Sequence, residues 1–187
     1  MSQSTTQNQT SLPLHRPLKL DRHKTHHSIT IRRSPSEVYE FWRNFENLPR
    51  FLKDVIDIQV LSPTRSHWKI KLKSGLTAEW EAIITDDEEG KQIAWESLAD
   101  AEVETNGVVQ FLKAPAHRGT IVVLSMNYEV PGGKLTEWST FFTGEDPDTL
   151  TQINLKRLKA YLETGEFPTV EGQSSGRREE EKPRITH

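Results

Sequence analysis

Residues 34–52, SPSEVYEFWRNFENLPRFL, constrain the fold more than any other stretch of the chain. Ser34 stands at an N-cap position, Pro35 at the first helical position, and Glu37 three residues after the serine completes a capping box. Val38, Phe41, Trp42 and Phe45 recur on one helical face. Asn47 and Pro49 read as the break of that helix, and Phe51 and Leu52 form a second apolar cluster. A strand-like run over 26–33 precedes this pair, with Ile29 and Ile31 on one face. Strand-like runs follow it, and the chain closes on a long amphipathic helix. One strand, a short helix pair, many strands and a last helix define an α+β chain. A bent antiparallel sheet closed by one helix tends to enclose a cavity.

The strand readings rest on alternation. A strand is expected over 55–61. Trp68, Ile70 and Leu72 alternate with Lys69, Lys71 and Lys73. Ala78, Trp80, Ala82 and Ile84 alternate with Glu79 and Glu81. An acidic turn is expected over 86–90, then Ile93, Trp95 and Ser97 on one face. Residues 99–106 read as a polar connection, 107–113 as a strand, 114–119 as a turn, and 120–130 as a long strand rich in β-branched residues. Pro131, Gly132 and Gly133 stop it. A helical pattern from Lys134 places Leu135, Trp138 and Phe142 on one side. After an interruption at 144–147, Leu150, Leu155, Leu158, Tyr161 and Leu162 form a stripe about 140° wide at 100° per residue. Gly165 is placed to end that helix and Pro168 to stop it. Short turns between successive strands predict an antiparallel meander.

Length and charge narrow the class. The chain has 187 residues, 24 basic against 27 acidic, and a net charge of −3. Such a balance does not favour nucleic acid as a partner. It has no cysteine, so disulfides and thiol chemistry are out. No apolar run approaches the roughly 20 residues that span a bilayer, and the N-terminus lacks the apolar core of a secretory signal. A cytoplasmic protein is expected. The segment 1–24, free of Asp and Glu as far as Leu20, and the charged segment 166–187, with its RREEEK run, read as disordered tails around one domain over 25–165.

Several local sequences resemble the polyketide cyclase/dehydrase and coenzyme-Q-binding branch of the START-like (SRPBCC) superfamily. They are residues 34–39 and 46–51, Ser66–His67–Trp68, Glu79–Trp80–Glu81–Ala82, residues 93–97, Gly119–Thr120, and residues 129–133 (EVPGG). The resemblance covers roughly residues 25–165. It implies a helix-grip fold: a curved antiparallel sheet wrapped around a long C-terminal helix, with a pocket between them. It also implies a hydrophobic small-molecule ligand such as a lipid, quinone or polyketide. A transient membrane contact would fit a quinone-delivery role.

The candidate chemistry is apolar. Trp68, Trp80 and Trp95 fall on the apolar face of successive strands, where three indoles either fill the space under the sheet or line it. Phe111, Val122, Leu124 and Tyr128 extend that face. Trp138, Phe142, Leu155 and Leu158 supply the helical side. These eleven residues are the expected ligand-binding set. Ser97, Thr120 and Tyr128 are the inward-facing polar residues expected to serve a cyclase, Arg118 is a further polar candidate, and Asn127 is expected on the outer face. Glu79, Glu81 and Glu96 fall opposite the tryptophans, where Glu79 and Glu81 are expected to pair with Lys69 and Lys71. No catalytic residue, metal or cofactor is expected. His23, His26 and His27 have no nearby acidic or cysteine partner, Gly132–Gly133 lacks the spacing of a phosphate loop, and no nucleophile elbow is present. The leading expectation is binding of a hydrophobic small molecule in a cavity of order 300 Å³ or more, without fixed catalytic residues. An aromatase/cyclase and a surface-acting interaction module with a filled pocket are the alternatives.

Overall fold

A computed structural model of the chain describes residues 24–72, 75–99, 101, 103–129 and 147–166. The elements run β1 (Lys24–Ile31), α1 (Pro35–Arg43), a 3-10 turn (Phe45–Asn47), α2 (Leu48–Phe51), β2 (Val55–Ser62), β3 (Arg65–Lys71), β4 (Thr77–Glu88), β5 (Gln92–Ser97), β6 (Glu104–Lys113), a second 3-10 turn (Pro115–His117), β7 (Thr120–Glu129) and α3 (Pro147–Thr164). The seven strands form one antiparallel sheet in the order β1-β7-β6-β5-β4-β3-β2. Strands β2 to β7 are therefore the expected meander, and β1 returns to pair with β7. The sheet is curved and packs against α3: the fold is the helix grip. Register breaks at Ile84/Asp86 in β4 and at two points in β2 add local bends to the strands that contain them.

The Ser34 capping box forms as the sequence requires. Ser34 Oγ accepts from the Glu37 N–H at 3.3 Å, and Glu37 Oε2 accepts from the Ser34 N–H at 2.8 Å. The helix breaks earlier than expected. Asn44 caps α1, and its side chain accepts from the Glu46 N–H to start the 3-10 turn. Pro49 lies inside the first turn of α2, where a missing N–H costs nothing. Two strands also outrun their expected bounds. β4 continues through the acidic segment to Glu88, because Asp87 is taken up by Tyr39 and Arg43 of α1. β6 starts at Glu104, where the Asn106 side chain meets that of Asn127 on β7, 2.7 Å apart.

Two apolar clusters hold the layers together. The larger joins Ile31, Val38, Trp42, Phe51, Ile93 and Leu158, among others; the smaller joins Ile70, Leu72, Ala78, Val103 and Leu150. Helix α3 is tied to α2 by polar contacts as well. Arg157 donates to the carbonyls of Phe51 (3.0 Å) and Arg50 (3.2 Å), and the Asn154 side-chain oxygen accepts from the Lys53 N–H at 3.1 Å. Gly165, at φ +78°, ends α3 with its N–H on the Tyr161 carbonyl, the expected stop. The helical pattern expected from Lys134 lies outside the described residues, as do His23 and Pro168. Among the described residues, no helix is long and apolar enough to cross a membrane.

Candidate functional site

A cavity opens between the concave face of the sheet and α3, bordered by members of both apolar clusters. Its sheet wall is built from paired positions. Trp68 on β3 faces Trp80 on β4, and their rings stack with centroids 6.1 Å apart and planes 13° apart. Trp95 on β5 pairs with Ile84 on one side and Gly107 on the other. Gly107 is the reason its ring fits. A Cβ there would sit 2.6 Å from Trp95 Cζ2, so the indole lies across bare backbone. All three indoles are half-buried rather than sealed in the core. Trp42, Phe51 and Leu155 close the helical side.

The wall is apolar except for a short polar arc. Asp54, Thr105, Thr151 and Asn154 are buried there, with Asp54 only 5 % exposed. Ser66 also faces the cavity, and its hydroxyl accepts the Trp68 indole N–H at 2.9 Å. The free volume is about 100 Å³. That is below the expected 300 Å³, because the stacked pair and Trp95 occupy much of the space under the sheet. Among the described lining residues, Asp54 is the one ionisable side chain. Among the described residues, no three of His, Cys, Asp or Glu converge as metal ligands.

The family model described as polyketide cyclase/dehydrase and lipid transport matches residues 31–154, about two-thirds of the chain. The chain belongs to this family. The match spans both short helices, every strand except most of β1, and the first turns of α3, and so all of the cavity wall described above except Leu155. An uncharacterised 17.2 kDa protein of Streptomyces lincolnensis is 30 % identical over 105 residues, which are 56 % of this chain and 68 % of that protein. A crystal structure from Deinococcus radiodurans superposes with a TM-score of 0.64 at 32 % identity, covering 77 % of this chain and 99 % of that one. The di-domain ARO/CYC of the steffimycin biosynthetic pathway superposes with a TM-score of 0.53 at 12 % identity, covering 74 % of this chain and 50 % of that one, and is alike in fold alone.

Within this polyketide cyclase-type fold, the eleven expected residues divide. Trp68, Trp80, Trp95, Leu124 and Leu155 line the cavity together. Phe111, Val122 and Leu158 do not. They are packed at the other end of the sheet, where Phe111 meets the edges of Tyr39 and Trp42 at 5.8 and 6.3 Å. Alternation assigned them to the right face, but position along the strand decides between cavity and core. Tyr128 lies on β7 opposite Thr105, with its side chain outside what is described, and Trp138 and Phe142 lie outside the described residues.

The expected polar set changes as well. Thr120 is fully buried away from the cavity and donates to the Arg33 carbonyl at 2.7 Å; Ser97 accepts from the Thr105 N–H at 3.0 Å. Asn127 bonds Asn106 on the outer face, as expected, and Arg118 lies in a separate groove. Nothing in the sequence pattern marks the polar arc: Thr151 and Asn154 lie in α3 between the leucines of its stripe, and Asp54 in the short connection from α2 to β2. The outer-face carboxylates are held by cations. Glu79 lies 2.7 Å from Lys69 and 3.1 Å from His67, and their hydrogen bonds hold its carboxyl below the usual range. Glu81 pairs with Arg65, not with the expected Lys71.

Proposed function

We propose that this protein binds a hydrophobic small molecule, of the lipid, quinone or polyketide kind, between the sheet and α3. The observation that carries the reading is the row of three half-buried indoles on a cavity whose lining is apolar but for Asp54, Ser66, Thr105, Thr151 and Asn154. Apolar area leaving water there contributes roughly 25 cal/mol per Å², and the arc of Asp54, Thr105, Thr151 and Asn154 fixes the orientation of a ligand carrying one polar end. The family description, with its cyclase and lipid-transport members, agrees with this class of ligand. A cyclase-type reaction is the second reading, favoured by the buried carboxyl of Asp54 on the cavity wall. A general acid or base needs such a group beside the reacting atoms.

The test is native mass spectrometry of the protein purified from its own host, followed by extraction of any bound compound and titration of that compound into Trp80→Ala. A stoichiometric apolar ligand that binds Trp80→Ala at least tenfold more weakly supports binding in this cavity. A ligand whose affinity is unchanged in folded Trp80→Ala overturns it. Conversion of the compound by the wild type but not by Asp54→Asn favours the second reading.

A further inference from the structure

A second concavity, of about 740 Å³, lies beyond the other end of the apolar cavity. Arg32, Arg33, Lys113, Arg118 and Lys159 line it, with His117 beside them. Against these five cations the lining holds one carboxylate, Glu37, which is already engaged by Ser34 in the capping box. The whole chain is net negative, at −3, so this is a local reversal of charge in a concave surface, where field lines concentrate.

The cations come from the end of β1, the β6–β7 turn and α3, and the backbone fixes them relative to one another. Gly119, at φ +102°, lets the turn press on β1; a Cβ there would lie 2.1 Å from the Ile31 carbonyl oxygen. Thr120 bonds the Arg33 carbonyl, and Lys159 donates to the Thr30 carbonyl at 2.8 Å. The Arg32 N–H donates to Glu163 at 2.8 Å. Ala116 and His117 both hold φ 55°, a left-handed turn that brings His117 and Arg118 to the groove. Among the described residues, no carboxylate lies within ion-pair distance of Arg33, Lys113 or Arg118. Among the described residues, the Arg33 side chain donates to the Arg32 carbonyl and the Arg118 side chain to the Pro115 carbonyl, neither to a carboxylate. Glu163 lies 3.8 Å from Lys159 and offsets that one cation; the concave face keeps Arg33, Lys113 and Arg118 without an ion-pair partner among the described residues.

We infer that this groove is an anion site for a phosphate group carried by a small molecule or a lipid head group. Guanidinium forks match tetrahedral oxyanions and bind them in pairs of hydrogen bonds. The volume admits a phosphate together with an organic group of the size that ordinary ligand pockets take. The site is separate from the apolar cavity. On α3 the cavity uses Leu150, Thr151, Asn154 and Leu155, whereas the groove uses Lys159.

Two arms separate the sources of phosphate, each using the full chain. Inorganic phosphate is titrated by calorimetry, and vesicles of phosphatidylglycerol are compared with vesicles of phosphatidylcholine by co-sedimentation. Losing two charge-assisted contacts in Arg33→Gln/Arg118→Gln should weaken binding by about tenfold or more, and rising salt should weaken the wild type. Lys91→Gln, outside the groove, should change nothing. Phosphate binding that the double variant loses assigns the site to soluble phosphate compounds. Sedimentation with phosphatidylglycerol alone, lost in the same variant, assigns it to head groups. No binding in either arm, or equal binding by the double variant, overturns the inference. Should the double variant fail to fold, Lys113→Gln is read instead, since its side chain makes no hydrogen bond among the described residues.

Discussion

At Gly107 a methyl group would fall 2.6 Å from Trp95 Cζ2 and 2.8 Å from the Ser125 carbonyl oxygen. The carbonyl belongs to the neighbouring strand and cannot retreat, so the indole must. Gly107→Ala should therefore shift Trp95, change the tryptophan emission spectrum and cost about 1–3 kcal/mol of stability, the usual range for overpacking. Unchanged emission together with unchanged denaturation would show that the ring does not lie across this glycine. Tyr39 offers a second test at this scale. Burial, and then its hydrogen bond to Asp87 at 2.7 Å, push its hydroxyl from 10 up to about 12. The folded state thus holds the proton more tightly than the unfolded chain. That stabilisation is complete below pH 10 and is lost as pH rises from 10 through about 12. Tyr39→Phe should flatten the fall in denaturation midpoint across that window relative to the wild type. Two parallel curves would refute the assignment.

Among the elements, α3 shows what holds the helix to the rest and what periodicity could see. Its stripe of Leu150, Leu155 and Leu158 was legible, because leucines three to five residues apart have only one face on which to lie. The strand order was legible too, because alternating faces joined by short turns leave a meander as the simple solution. The bulge in β4, the early break at Asn44 and the polar arc were not legible. The course of β4 and the polar arc depend on partners distant in sequence, Asp87 on Tyr39 and Arg43 and Asn154 on the Lys53 backbone; the break at Asn44 turns on one local bond, from the Glu46 N–H, which no periodicity reveals. The same limit separates Leu124, which meets the cavity, from Val122 one repeat away, which does not. The tie between α3 and α2 is testable. Arg157 satisfies two carbonyls at the end of α2, a place where a cation also meets the helix dipole. Arg157→Met keeps the aliphatic stem and removes those bonds. It should cost about 1.5–3 kcal/mol, the range for charged hydrogen bonds, with faster amide exchange over residues 48–53. Loss of stability without that local exchange would place the role of Arg157 elsewhere.

For the molecule as a whole, the cavity's modest volume sets the terms on which ligands enter. About 100 Å³ lies free between sheet and helix. An engineered apolar cavity of roughly 150 Å³ accepts benzene, so the space here suits a short alkyl segment or at most one small ring. A quinone, sterol or folded polyketide needs more room, and close-packed walls yield it only by discrete side-chain movement. The half-buried pair Trp68 and Trp80 is where such a movement would have to part a ring stack and the bond from the Trp68 indole to Ser66. Its coupling, about 0.5–1.5 kcal/mol for a well-arranged aromatic pair, is small beside the area a large apolar ligand would bury. Single-ring probes should therefore raise the melting temperature without altering tryptophan emission. Multi-ring probes should raise it only together with a change in emission. At a hundredfold excess over its dissociation constant, either kind should stabilise the fold by about 2.7 kcal/mol, well within reach of a thermal scan. A large ring system that stabilises the protein with no change in emission would show that it binds elsewhere, and would move the ligand site away from the tryptophan wall.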